Sequence, residues 1–172
     1  MKFNRPAGKV ILLNFKNVVL LIAASLVFVF ATLVSWYEGG QLRDISWEWE
    51  HTAVFSNWFN GEVDRGSDII VMDHFVYAAK FEPFFPFLMA VSLLFIVFRV
   101  ALWIIKDQTV IRNIFFLFMA ATSFSLSGIF LDSPATGFKL FSIFFGIIGI
   151  LSLFAIFLFH NKKSKPGAIN NT

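Results

Sequence analysis

The run NVVLLIAASLVFVFATLVSWY, Asn17 to Tyr37, decides the fold class: 21 residues without a charge. As a helix rising about 1.5 Å per residue it reaches roughly 30 Å, the thickness of a bilayer's hydrocarbon core. Lys2, Arg5, Lys9 and Lys16 precede it, with no acid among them. A basic start before an apolar run also opens a secretory signal peptide. Here the run is long, and Leu33 and Ser35 do not make a small-x-small cleavage site. The segment is read as a retained signal anchor.

Three further apolar runs follow, at 84–105, 114–131 and 140–159. The predicted fold is an all-α integral membrane protein. It is a four-transmembrane-helix bundle with spans of about 17–37, 84–105, 114–131 and 140–159, forming one membrane domain over 1–172. The composition agrees: 58% hydrophobic and 15% charged, where a soluble domain is about half apolar and a quarter charged. The 25 phenylalanines fit that reading, because Phe is favourable in the hydrocarbon region. The chain has no cysteine, which excludes disulfides, thiolate catalysis and cysteine-ligated zinc or iron–sulfur sites.

The net charge of +3 implies no nucleic acid, because the basic residues gather beside the spans. With four spans, one side holds Lys2, Arg5, Lys9, Lys16, Arg99, Lys106, Arg112, Lys162, Lys163 and Lys165. The other holds Arg43, Arg65, Lys80 and Lys139. The positive-inside rule then predicts a multi-pass plasma-membrane protein with both termini cytoplasmic and 38–83 extracellular. Arg99 falls about 9 Å from the end of its span, close enough to snorkel to the headgroups. No Asp, Glu, His or Lys lies inside a span, which argues against ion or proton transport.

Hydrophobicity does not drive helices together in lipid; close packing at small residues does. Ser142, Gly146 and Gly149 share one face of the fourth span, and Ala121, Ser125 and Gly128 share one face of the third. The short turn between the spans predicts an antiparallel hairpin, small face to small face, although the same pattern also suits a homodimer. The hydroxyls of the third span are expected to bond their own helix backbone.

The polar stretch Trp36–Pro83 holds 9 of the 11 acids, two of the three histidines and four of the five tryptophans. Residues 45–51, ISWEWEH, alternate in the manner of a strand. Trp47 and Trp49 would lie on one face, with Glu48 and Glu50 on the other. Ile69–Met72 suits a buried strand, and Asp73 an N-cap for a helix from His74 to about Phe81. A small extracellular α/β loop region is therefore predicted for 38–83.

A metal would have to use His51, His74 and Asp73 with the nearby acids, but no HExxH or other ligand spacing supports one. Glu48 and Glu50 suit a solvated strand face better than an acid–base pair. No catalytic residues and no cofactor are predicted. Trp47, Trp49 and Trp58, with Glu48 and Glu50, form the expected interaction surface, since exposed tryptophans favour docking.

SWYEGGQL at 35–42, followed by WEW at 47–49 and Phe55-Ser56, resembles the YjdJ-like family of small membrane proteins from Gram-positive spore-formers. The resemblance covers about the first third of the chain and implies a plasma-membrane location. Members of that family are shorter, with fewer spans. The leading expectation is a non-enzymatic accessory subunit that binds a membrane or extracellular protein through 38–83. The alternative is an enzyme or a small-ligand or metal-binding protein, its site formed by loop acids and histidines at the outer leaflet.

Overall fold

The computed structural model describes residues 7–105 and 108–163, with side chains for 15–105 and 108–159. Of the residues that set the predicted topology, Lys2, Arg5, Lys106 and Lys165 lie outside the described residues. So do the side chains of Lys9, Lys162 and Lys163.

Helix α1 runs Ala7–Gly39. Short helical pieces then carry the chain through Gly40–Asp44 and Ser46–Glu48 (3-10 turns), α2 Trp49–Thr52 and α3 Val54–Asn60. A 3-10 turn at Gly66–Asp68 leads to α4 Val71–Phe81, α5 Phe84–Ile104, α6 Thr109–Leu131 and α7 Thr136–Lys163. Four helices, α1, α5, α6 and α7, are long and apolar enough to cross a membrane. They mark a multi-pass membrane protein. The chain divides into two compact units, Met1–Val100 and Ala101–Thr172.

In the first unit α1 and α5 pair antiparallel. Phe30 meets Phe85 edge-on, with ring centroids 6.0 Å apart, and the Arg99 guanidinium donates to the Asn17 side-chain oxygen. The two contacts are 13 residues apart on α1 and 14 on α5, as two antiparallel helices in fixed register require. Arg99 thus has a protein partner, beyond the snorkelling expected of it. A partner inside an apolar layer offsets the cost of burying a charge there.

The residues 38–83 form a helical lobe. The predicted strands are absent; among the described residues there is no strand. The period-two alternation of ISWEWEH is real, but a helical stripe overrides it. Leu42, Ile45, Trp49 and Ala53 recur at spacings of three, four and four, and they pack with Ile69, Val63 and Tyr77 as the core of the lobe. Ile69 and Ile70 are extended in backbone angle, yet Val71 and Met72 already belong to α4. They were expected to be a buried strand; instead they are exposed.

Helix α4 lies along the last turns of α1. Ala31, Ser35 and Gly39, at i, i+4 and i+8, form one buried stripe on α1. At its upper end a Cβ on Gly39 would sit 1.8 Å from the His74 carbonyl oxygen. Only glycine allows the two backbones to come this close.

In the second unit α6 and α7 form an antiparallel hairpin. Phe116 stacks on Phe159 at one end, at 5.9 Å, and Phe130 on Phe138 at the other, at 5.1 Å. Between them Ser127 Oγ donates to the Ser142 carbonyl and Ser142 Oγ to the Ser127 carbonyl, both at 2.8 Å. A Cβ on Gly149 would press within 2.9 Å of the Phe124 ring, and one on Gly146 would meet Ser127 Oγ at 3.4 Å. Ser142, Gly146 and Gly149 therefore face α6. Ala121, Ser125 and Gly128 do not face α7: they are exposed, and the buried small residues of α6 are Ala120 and Ser123. Two small-residue stripes lie side by side on this helix, and spacing does not distinguish them. Thr122 and Ser125 bond their own helix backbone, whereas Ser127 crosses to α7.

Candidate functional site

The acids and histidines of the lobe divide into those the fold uses and those it leaves free. Asp73 is fully buried. Its carboxylate accepts the backbone N–H of Phe55 at 2.8 Å, that of Ser56 at 2.7 Å, and the Ser56 hydroxyl. Ser56 Oγ in turn accepts the Ile70 N–H at 2.8 Å. Helix α3 starts after Ala53, which has no side-chain cap to offer, so its first amide groups need an acceptor from elsewhere. Asp73 supplies it across 17 residues of chain. Asp73 therefore does not cap its own helix, as expected from sequence: it lies inside α4, whose N-cap is Ile70, and it caps α3 instead. Helix α4 begins three residues earlier than expected, after Ile70.

Glu48 is also committed. Lys80 Nζ approaches its Oε2 at 2.7 Å in a half-buried salt bridge. Thr52 Oγ1 donates to the same oxygen at 2.7 Å and stands 3.1 Å from Lys80. Burial pushes the Glu48 carboxyl upward. Hydrogen bonds from Lys80 and Thr52, with the charges of Lys80 and His51, outweigh that and hold it below its ordinary value.

His74 is buried and His51 exposed. Neither ring nitrogen of His74 makes a hydrogen bond of good geometry. Burial lowers its pKa most and the Arg43 charge lowers it further, against weaker opposing effects of the Trp36 backbone and Asp73. His51, His74 and Asp73 are not gathered into a metal-binding group. Among the described residues no three His, Cys, Asp or Glu side chains are so placed.

The expected interaction residues separate as well. In a strand Trp47 and Trp49 would share a face; two positions along a helical path they point apart. Trp47 is 74% exposed. Trp49 packs against the core, with its indole N–H donating to the Leu42 carbonyl at 2.8 Å. Trp58 is 76% exposed and lies against Phe59 with centroids 4.8 Å apart. Helix α3 is turned inside out for a soluble helix. Val54, Phe55, Trp58 and Phe59 look outward, Ala53 and Ser56 inward, and it carries no charge.

Beside it opens a cleft of about 670 Å³ lined by Ser46, Trp49, Glu50, Asn57, Gly61, Glu62, Val63 and Asp64. Glu50, Glu62 and Asp64 make no ion pair among the described residues. Three carboxylates with low-dielectric walls focus a negative potential and concentrate cations, and the face of a tryptophan ring attracts a cationic group. Sequence reasoning singled out Glu50 and missed Glu62 and Asp64. They follow Asn60-Gly61, and Gly61 has a positive φ of 83° that turns the chain back past the cleft.

The family model described as Domain of unknown function (DUF4306) matches residues 18–105. The chain belongs to that family. The uncharacterized protein YjdJ of Bacillus subtilis (strain 168) is 36% identical over 73 residues, which is 41% of this chain and 67% of that relative. The family match ends close to where the first compact unit ends, and α6 and α7 lie beyond it. No solved structure matches the chain.

Proposed function

We propose that this protein is a non-enzymatic accessory subunit of the plasma membrane, with both termini in the cytoplasm and the lobe outside the cell. The lobe recognises a membrane or extracellular protein that presents basic side chains. One observation carries this reading. The acids best placed for chemistry, Glu48 and Asp73, are consumed by the fold, while Glu50, Glu62 and Asp64 make no ion pair among the described residues and the aromatic face of α3 is exposed. Trp47 and Trp58 are the anchors, and Trp49 serves the core that shapes the cleft. The distribution of lysine and arginine supports the orientation.

Affinity purification of the full chain in mild detergent tests this reading. A stoichiometric partner should be retained, lost on Trp47→Ala plus Trp58→Ala, and weakened by Glu50→Gln with Glu62→Gln. Recovery of a lone monomer, or a partner indifferent to all four changes, overturns it. A single cysteine at Ser67, in a chain with none, should label from outside intact cells.

The size of the cleft favours a second reading. About 670 Å³ falls within the range of roughly 300–1,000 Å³ typical of small-molecule sites. A small cationic ligand would bind the purified chain alone and be lost with the same acids, whereas a protein partner needs the tryptophans too.

A further inference from the structure

The joint between α1 and α4 contains a group the fold does not satisfy. His74 is 3% exposed, and neither ring nitrogen makes a hydrogen bond of good geometry, the Trp36 backbone being the one partner group within reach. A buried imidazole normally donates one proton and accepts another. This one sits where α4 comes closest to α1, its backbone against Gly39. Each element packed around it brings something to bear. The last turn of α1 offers the Trp36 backbone carbonyl, the Gly40–Asp44 turn the Arg43 guanidinium, and α4 itself the Asp73 carboxylate. Asp73 already accepts three hydrogen bonds from α3. Arg43 cannot be withdrawn with its backbone, because Gly66 is packed against it: a Cβ there would lie 2.6 Å from the Arg43 carbonyl oxygen.

We propose that His74 is an acid-sensitive latch, neutral while α4 is docked on α1, whose protonation releases α4 and with it the lobe. The imidazolium would be a buried cation beside Arg43, and Asp73, the carboxylate that acts on it, is committed to the start of α3. The helix cannot leave alone. Asp73 holds the start of α3 and Lys80 holds Glu48, so undocking α4 removes a cap and a salt bridge from the 40–60 segment. The cleft is built on that segment and opens with it.

The direction follows from linkage. In the unfolded chain His74 titrates at its ordinary 6.5, and in the docked lobe it titrates lower. Docking is therefore fully stable above pH 6.5 and weakens as pH falls below it, because the released state takes up the proton first. Between pH 7.5 and 5 the opening constant rises by up to about 30-fold, the limit set by the unfolded value of 6.5. The latch is a property of the lobe itself and stands or falls apart from the partner reading and from which side of the membrane the lobe occupies.

Hydrogen exchange on the full chain in nanodiscs tests it, comparing wild type with His74→Leu at matched pH so that intrinsic exchange cancels. Residues 71–81 and 40–52 of the wild type should lose protection between pH 7.5 and 5, while His74→Leu keeps it and His51→Gln behaves as wild type. A wild type equally protected at both pH values overturns the latch, as does equal loss in His74→Leu. If His74→Leu is unprotected throughout, imidazole NMR of the wild type decides. A His74 ring still neutral in the docked population at pH 5, as a separate undocked population appears, supports the latch. A ring titrating near 6.5 with the lobe intact overturns it.

Discussion

Gly39 and His74 touch backbone to backbone, with room for a hydrogen but not for a methyl group: a Cβ at 39 would stand 1.8 Å from the His74 carbonyl oxygen. Its neighbour Gly40 has nothing within 4 Å of the same imagined atom. The two glycines look equivalent in sequence and are opposite in tolerance. Gly39→Ala should undock α4 at a cost of about 3 kcal/mol, at the upper end for overpacking, while Gly40→Ala should change stability by less than about 0.5 kcal/mol. Thermal melts of the two variants in detergent decide it, and equal melting temperatures would refute the close approach.

Asp73→Ala should cost about 2–3 kcal/mol, because it leaves the buried Ser56 amide and hydroxyl and the partly buried Phe55 amide without an acceptor. Asp73→Asn, which keeps one acceptor oxygen, should fall between Ala and wild type. The effect should appear first as faster amide exchange at Phe55 and Ser56. A uniform loss across the whole first unit would instead show that the carboxylate acts globally.

Glu48 sets a second and lower pH window than His74. Its folded pKa lies below the ordinary 4.5, so the stability it contributes is complete above pH 4.5 and lost as pH falls through the folded value. Lys80→Met removes the hydrogen bond and charge that lower it, so this variant should lack the step below pH 4.5. A double-mutant cycle of Glu48→Gln and Lys80→Met should give a coupling of roughly 1 kcal/mol. Urea titrations at pH 7 and pH 4 measure both.

The α6–α7 hairpin should respond to Gly149→Leu, whose side chain would have to displace Phe124, and hardly at all to Gly128→Leu, where the space is open. Ser127→Ala with Ser142→Ala removes the reciprocal pair of hydrogen bonds and should cost about 1 kcal/mol, since such bonds are modest in membrane proteins. Distances between spin labels on α6 and α7 would reveal the order of these effects.

The spans were legible because twenty apolar residues in a row leave few alternatives. The lobe was not. ISWEWEH shows two periods at once, and the one that matters, Leu42–Ile45–Trp49–Ala53, continues beyond both ends of the alternating segment. Asp73 was recognisable as a capping residue, but its partners 17 and 18 residues away depend on how the chain folds back. Ala121, Ser125 and Gly128 had the right chemistry on the wrong side of the helix. The glycine of SWYEGGQL that matters could not be chosen from two until His74 was beside it.

The register of α1 against α5 sets a height for the lobe. Phe30 stands opposite Phe85, at the start of α5, and α1 continues nine residues farther, from Ala31 to Gly39. At about 1.5 Å per residue that is roughly 13 Å of helix, braced by α4. The first transmembrane helix is thus also a mast. While α4 is docked, it holds Trp47, Trp58 and the acidic cleft at a fixed distance from the start of α5, where a flexible tether would let them wander.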